Sequence, residues 1–212
     1  MRIITGSARG IVLSTLEGDA TRPTSDRAKE ALFSMIQFDI EGRRCLDLFA
    51  GSGQLGLEAL SRGAAHCVFI DEAREAVEIV LANAKKTKLF DRCRISTGTF
   101  SQYLKNAQGR EEFDLIFLDP PYSAGYIPEA LRLIADGGLL RAGGRIVCES
   151  DNGTVPPKKK ELKSDEYHAE KVSAQVFGGN AELSERFTVV KTAIYGRSRI
   201  TLLESAREDD GE

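Results

Sequence analysis

Cys45-Leu46-Asp47-Leu48-Phe49-Ala50-Gly51-Ser52-Gly53-Gln54-Leu55-Gly56 is the stretch that decides the fold. Cys45 to Phe49 is an apolar run interrupted only by Asp47, the pattern of a buried central strand. Three glycines follow in the spacing G-x-G-x-x-G, and Gln54 to Ser61 reads as a helix closed by Gly63. A strand that turns through glycines directly into a helix opens a βαβ unit and predicts a parallel sheet. The next strand, Cys67 to Ile70, ends at Asp71, 20 residues beyond Gly51. Glycines in such a turn let the backbone approach a ligand closely. An acid ending the second strand accepts hydrogen bonds from ribose hydroxyls. The pattern predicts an adenosine-type cofactor. It excludes a P-loop, because no Gly-Lys-Ser/Thr follows the glycines.

Strand and helix patterns continue to alternate on both sides of this unit, which makes the chain α/β with a mostly parallel sheet. Before it, residues 2–5 and 11–16 read as a small hairpin around Gly6 to Gly10. A helix follows from Asp26 to Ile36, with Thr24 or Ser25 as its N-cap and Ala28, Ala31, Leu32, Met35 and Ile36 on one face. After it come a long helix from Glu72 to Lys86, with Ala73, Val77, Val80, Leu81 and Ala84 on one side, and a strand from Arg94 to Thr97. A short helix near Ser101 to Asn106, a strand Phe113 to Leu118, a helix Ile127 to Ala135 and a strand Gly144 to Glu149 complete the central pattern. Thr188 to Ile194 and Arg199 to Leu203 bracket Tyr195-Gly196 as a closing antiparallel hairpin. The expected organisation is an N-terminal hairpin and helix over 1–38, a main domain over 39–204 with a polar insertion at 156–186, and an acidic, disordered tail over 205–212. Lys158, Lys159 and Lys160 in the insertion read as a solvated loop.

The strand from Phe113 delivers Asp119-Pro120-Pro121-Tyr122 at its carboxyl end, where open α/β sheets bind ligands. The prolines fix φ and remove backbone donors, leaving carbonyl acceptors in place. Asp119 adds a carboxylate acceptor and Tyr122 a stacking face, a set suited to an exocyclic amine on a flat base. A plain Pro-rich turn at a strand end gives the same four letters. Two residues choose the cofactor. Asp47 lies four residues before the first glycine, where its carboxylate suits the cationic amino-acid end of S-adenosylmethionine and repels a pyrophosphate. The Asp119 clamp has a use in transfer to an amine and none in hydride transfer.

The whole-chain numbers set limits. With 212 residues, 42% hydrophobic and 29% charged, the chain supports one large core. The net charge of −3 is concentrated in Glu204 to Glu212, which leaves residues 1–203 near neutral and says little about partners. Cys45, Cys67, Cys93 and Cys148 are scattered and form no C-x-x-C pair, so reduced buried thiols are expected and a metal site is not. His66 and His168 stand in no catalytic context. No apolar run approaches the roughly 20 residues of a membrane span, and no secretory h-region opens the chain, so a cytoplasmic location is expected.

Asp47-Leu48-Phe49-Ala50-Gly51-Ser52-Gly53 and Leu57-Glu58-Ala59-Leu60-Ser61-Arg62-Gly63-Ala64 resemble the cofactor loop of the RsmD family, bacterial 16S rRNA guanine-N2 methyltransferases acting at guanine 966. Arg22-Pro23-Thr24 with Glu30-Ala31-Leu32-Phe33 resembles the family's N-terminal motif, and Asp119-Pro120-Pro121-Tyr122 its catalytic motif. The resemblance covers residues 2–150 and returns at Tyr195-Gly196. It implies a class I methyltransferase fold: a seven-stranded sheet with its last strand antiparallel and helices on both faces. It implies S-adenosylmethionine contacts from Asp47, Phe49, Gly51, Gly53 and Asp71, with Arg22 and Thr24 near the cofactor or the base. Asp119, Pro120, Pro121 and Tyr122 would serve the transfer. Where many relatives carry Asp or Asn at the end of the third strand, this chain has Thr97-Gly98-Thr99, which moves the adenine contacts to Thr99 or Phe100. The implied partner is 16S rRNA in a small-subunit particle, with no membrane and no obligate protein partner. Three other readings stay open on the residues alone: an adenine-N6 or other amino-methyltransferase on DNA or another RNA, a non-catalytic S-adenosylmethionine-binding module, and an NAD-dependent oxidoreductase.

Overall fold

The computed structural model describes residues 1–16, 26–121, 125–151, 176–196 and 198–206. Within them the elements run α1 (Asp26–Met35), β1 (Arg44–Asp47), α2 (Gln54–Ser61), β2 (His66–Asp71), α3 (Arg74–Lys86), β3 (Cys93–Thr97) and α4 (Phe100–Ala107). They continue with β4 (Phe113–Leu118), α5 (Tyr126–Asp136), β5 (Leu140–Asp151), α6 (Ala181–Arg186), β6 (Phe187–Tyr195) and β7 (Ser198–Ser205). Expected N-caps Thr24 and Ser25, the lysines 158–160 and the tail from residue 207 lie outside the described residues.

All seven strands form one sheet in the order β3-β2-β1-β4-β5-β7-β6. β1 pairs in parallel with β2 and β4, β2 with β3, and β4 with β5. β7 alone runs antiparallel, inserted between β5 and β6. This is the class I methyltransferase topology. The strand order reverses between β1 and β4, so their carboxyl ends diverge into a crevice at the switch point.

Two hydrophobic cores lie on opposite faces of the sheet. One packs α1, α2, α3 and the N-terminal residues Ile3, Ala8 and Leu13. The other packs α4, α5 and α6. Strand alternation assigns the faces: Phe117 and Val147 go to the first core, Leu118 and Cys148 to the second. Residues 176–186, the end of the stretch read as a polar insertion, carry Val176, Phe177 and Leu183 into this second core.

The N-terminal hairpin is narrower than the sequence suggests. It holds a single antiparallel bridge, Arg2 to Val12. Its tip is fixed by α2 instead: Glu58 accepts the N–H groups of Ile4 and Thr5 at 2.7 and 3.0 Å. The same carboxylate meets Lys29 Nζ at 3.4 Å and Arg62 Nε at 2.8 Å, and both Lys29 and Glu58 side chains are fully buried. Burial pulls the Lys29 ammonium pKa down, and the adjacent Glu58 partly opposes that. Four partners around one carboxylate thus tie α1 and the N-terminal segment to the helix that begins at the glycine loop.

α3 also departs from expectation. It starts at Arg74, because Asp71 Oδ1 accepts the Ala73 N–H at 2.9 Å and holds a turn before the helix. Its buried face is Ala76, Val80, Asn83 and Ala84, so Val77 and Leu81 sit at its margin.

Candidate active site

The site begins with the path of the chain after β1. Leu48 N–H donates to Phe117 O and Ala50 N–H to Ile70 O, so the segment is held between β4 and β2 as it leaves the sheet. Gly51 and Gly53 then take φ of +54° and +75°, which side-chain-bearing residues adopt at a cost. Gly56 is required for a different reason. A Cβ there would stand 2.3 Å from the Phe69 ring and 2.7 Å from Cys67 Sγ, so α2 packs on β2 only through a bare backbone.

Two carboxylates brace this loop from opposite sides. Asp71 Oδ2 accepts the Gly51 N–H at 2.8 Å, while its other oxygen holds Ala73. Each oxygen keeps a second acceptor position for a ligand hydroxyl. Asp47, 1% exposed, accepts the Gly56 N–H at 2.9 Å. Burial pushes the Asp47 pKa up to about 7; the Gly56 hydrogen bond pulls against this and the nearby Asp71 charge adds to it.

A third brace is Asn83 of α3, which the sequence reading missed. Its Nδ2 donates to Ser52 O and Ser14 O, both at 2.9 Å, and its Oδ1 accepts the Ser14 N–H at 2.9 Å. The residue is fully buried. It fastens the N-terminal segment to the glycine loop and brings Leu16 to the rim of the cavity below.

That cavity, about 370 Å³, lies over the carboxyl ends of β1, β2 and β4. Asp47 and Phe117 are partners in the β1–β4 register, so the glycine loop and the Asp119 clamp emerge side by side. Asp47, Phe49, Gly51, Asp71, Phe100, Asp119, Pro120 and Pro121 therefore share one wall system. Gly53 and Thr99 do not line it. Gly53 faces Val80 and Leu57 at the start of α2. Thr99 caps α4, its Oγ1 accepting the Gln102 N–H at 3.3 Å. Arg22, Thr24 and Tyr122 lie outside the described residues.

Glu72, Gln54 and Tyr126 are further parts of the wall. Tyr126 stacks on Phe49 at 6.1 Å and 6° and meets Phe100 at 5.0 Å, while Phe49 and Phe100 are 5.3 Å apart. These three rings form the apolar side of the cavity. Its charged side consists of Asp47, Asp71, Glu72 and Asp119, and no Lys or Arg is among its described lining residues. Such a chamber attracts a cationic ligand and repels a pyrophosphate. Gln54 Oε1 is buried with no hydrogen-bond partner among the described residues, an acceptor awaiting a donor.

Known proteins carry the same architecture. A family model described as conserved hypothetical protein 95 matches residues 1–178. YlbH of Bacillus subtilis is 42% identical over 74% of this chain and 86% of its own length. Ribosomal RNA small subunit methyltransferase D of Escherichia coli is 37% identical over 83% of this chain and 86% of its own. The solved structure of the Escherichia coli protein yhhF superposes with a TM-score of 0.73 at 29% identity, covering 97% of both chains. With the family model spanning most of the sequence and these relatives matching along most of their own lengths, the chain belongs to the conserved hypothetical protein 95 family, the family of the ribosomal RNA small subunit methyltransferases D.

Proposed function

We propose that this protein methylates the exocyclic N2 of a guanine in 16S rRNA, within a small-subunit particle in the cytoplasm, with S-adenosylmethionine as donor. One observation carries the reading: the amine clamp and the glycine loop open on a single cavity whose described charges are all carboxylates. The family supports it, since its named members are small-subunit rRNA methyltransferases.

The residues present fit the donor. Asp47 offers a buried carboxylate and Gln54 Oε1 a buried acceptor without a partner among the described residues, a pair that would hold an α-ammonium. Asp71 and Glu72 stand where the second strand ends, in reach of ribose hydroxyls. The Phe49, Phe100 and Tyr126 rings would flank the adenine. When bound, S-adenosylmethionine supplies a methyl carbon already activated on a sulfonium, and the electrons of the broken C–S bond remain with sulfur.

The chain's work lies with the nucleophile. Guanine N2 is conjugated into the ring, so its lone pair is poorly available. Asp119 and the Pro120 carbonyl accept the two N2 hydrogens, aim the nitrogen at the cavity and stabilise positive charge as the new C–N bond forms. The proton then leaves to Asp119 or to solvent. Tyr122 stacks on the base, which must be out of its helix to reach the site.

The test is methylation in vitro of small-subunit particles from cells lacking this protein, with nucleosides read by mass spectrometry. N2-methylguanosine at one site is expected. N6-methyladenosine would move the activity to the adenine reading, and absence of transfer with intact cofactor binding would leave a binding module.

A further inference from the structure

Beside the donor cavity lies a second one of about 190 Å³, between the tips of β4 and β5. Pro120, Pro121 and Tyr126 line both, so the two chambers share a partition. Ile127 and Pro128 extend its apolar side, and Glu149, Ser150 and Asp151 form the other. Flat apolar walls with a few polar groups on one edge are the features of a site for a planar ring.

The register places those polar groups. Leu118 pairs with Cys148 in parallel, so Asp119 and Glu149 are the next residues along neighbouring strands, which run about 4.8 Å apart. Glu149 is 2% exposed. Ser150 Oγ is buried and has no hydrogen-bond partner among the described residues. Strand alternation turns Asp119 and Glu149 to the same face of the sheet and Ser150 to the other.

A clamp that grips only an amine treats guanine N2 and adenine N6 alike. The neighbouring ring atom differs. Beside N2, guanine presents an N1–H donor and then the O6 acceptor. Beside N6, adenine presents N1 as a bare acceptor, and cytosine presents N3 in the same way beside N4. A carboxylate at that place accepts from guanine and faces a lone pair on the other two.

We propose that the β4–β5 cavity receives the target base and that Glu149 selects guanine by accepting its N1–H. This assignment rests on the methyl-transfer reading and adds to it the group that decides which base is methylated. Leaving a buried carboxylate facing a lone pair is costly, so the discrimination is large.

The experiment uses particles reconstituted with 2-aminopurine in place of the accepting guanine. That base keeps the 2-amino group and lacks both N1–H and O6. The wild-type protein is expected to favour guanine by about 100-fold or more in kcat/KM. Glu149→Gln, whose amide can donate to N1, is expected to bring the ratio within about tenfold, losing on guanine and gaining on 2-aminopurine, with S-adenosylmethionine affinity unchanged. A Glu149→Gln protein that binds cofactor and keeps the wild-type ratio overturns the assignment. If the variant fails to bind cofactor, the wild-type ratio decides, and equal rates on the two bases overturn it. Absence of transfer to guanine particles by the wild type removes the methyl-transfer reading itself, and the assignment with it.

Discussion

The Asp47 carboxylate accepts the Gly56 N–H at 2.9 Å from a position closed to bulk water. Its pKa of about 7, raised by that burial, makes it titrate in the working range, and two opposite pH dependences follow. Between the ordinary carboxylate value of 3.8 and about 7, the folded protein holds a proton that the unfolded chain has released. For this group alone, stability of the cofactor-free protein falls as pH rises through that window and is level above it. Binding a cationic donor needs the ionised carboxylate, so affinity rises over the approach to pH 7 and then levels. Calorimetry at pH 6 should register about one proton released on binding. Asp47→Asn should abolish both the release and the slope. An unchanged slope in the variant would assign the titration to another group.

Gln54 presents a cleaner separation of stability from binding. Its Oε1 is buried without a partner among the described residues, an arrangement that costs about 1 kcal/mol or more. Gln54→Leu keeps the volume and removes the orphan. The empty protein should melt higher, while the dissociation constant for S-adenosylmethionine should rise about tenfold, the worth of one hydrogen bond to a charged group. Thermal unfolding and calorimetry read the two effects independently. Unchanged affinity would place the α-ammonium elsewhere.

The parts of the site legible in sequence are those written locally. The glycine spacing, Asp47, Asp71 and the Asp119 clamp each follow from a strand end and a turn within a few residues, and Asp47, Gly51, Asp71, Asp119, Pro120 and Pro121 lie on the cavity. Thr99 illustrates a signal that pointed elsewhere: Thr99-Phe100-Ser101-Gln102 has the spacing of a capping box, and its hydroxyl serves the helix end. Asn83 was illegible for a different reason. An Asn on an amphipathic helix reads as solvent-facing, and only the return of the N-terminal segment across α3 buries it. Tyr126 and Glu149 likewise gain meaning from strand order, which places β5 beside β4 and no short motif encodes.

Asn83→Ala tests how much that nonlocal tie contributes. The substitution removes the partner of the half-buried Ser52 carbonyl and of the more exposed Ser14 carbonyl and N–H, at a cost of about 1–2 kcal/mol. Because the lost partners include Ser52 in the glycine loop, cofactor affinity should fall beyond what the lower stability explains. The N-terminal segment should become the first site of limited proteolysis. Saturating S-adenosylmethionine should restore part of the protection, since a ligand that binds only the folded loop stabilises it by mass action. A variant cleaved no faster than the wild type would show that the bonds from Glu58, Ser61 and Lys29 suffice to hold the segment.

Asp119→Ala separates binding from chemistry. Asp119 lies on the same cavity as Asp47, yet in the proposed arrangement its oxygen meets the acceptor amine and carries developing charge only during transfer. Removing it should cost about 10²- to 10³-fold in kcat, the loss typical of one positioned group that stabilises transition-state charge. The dissociation constant for S-adenosylmethionine should change little. Because removing one of four neighbouring carboxylates also lessens the pull on a cation, a small, salt-dependent weakening is compatible with the role. Single-turnover kinetics on small-subunit particles, beside equilibrium cofactor binding, measure the two quantities apart. Equal losses in both would make Asp119 a wall of the donor chamber, and the grip on the amine would then fall to the Pro120 carbonyl.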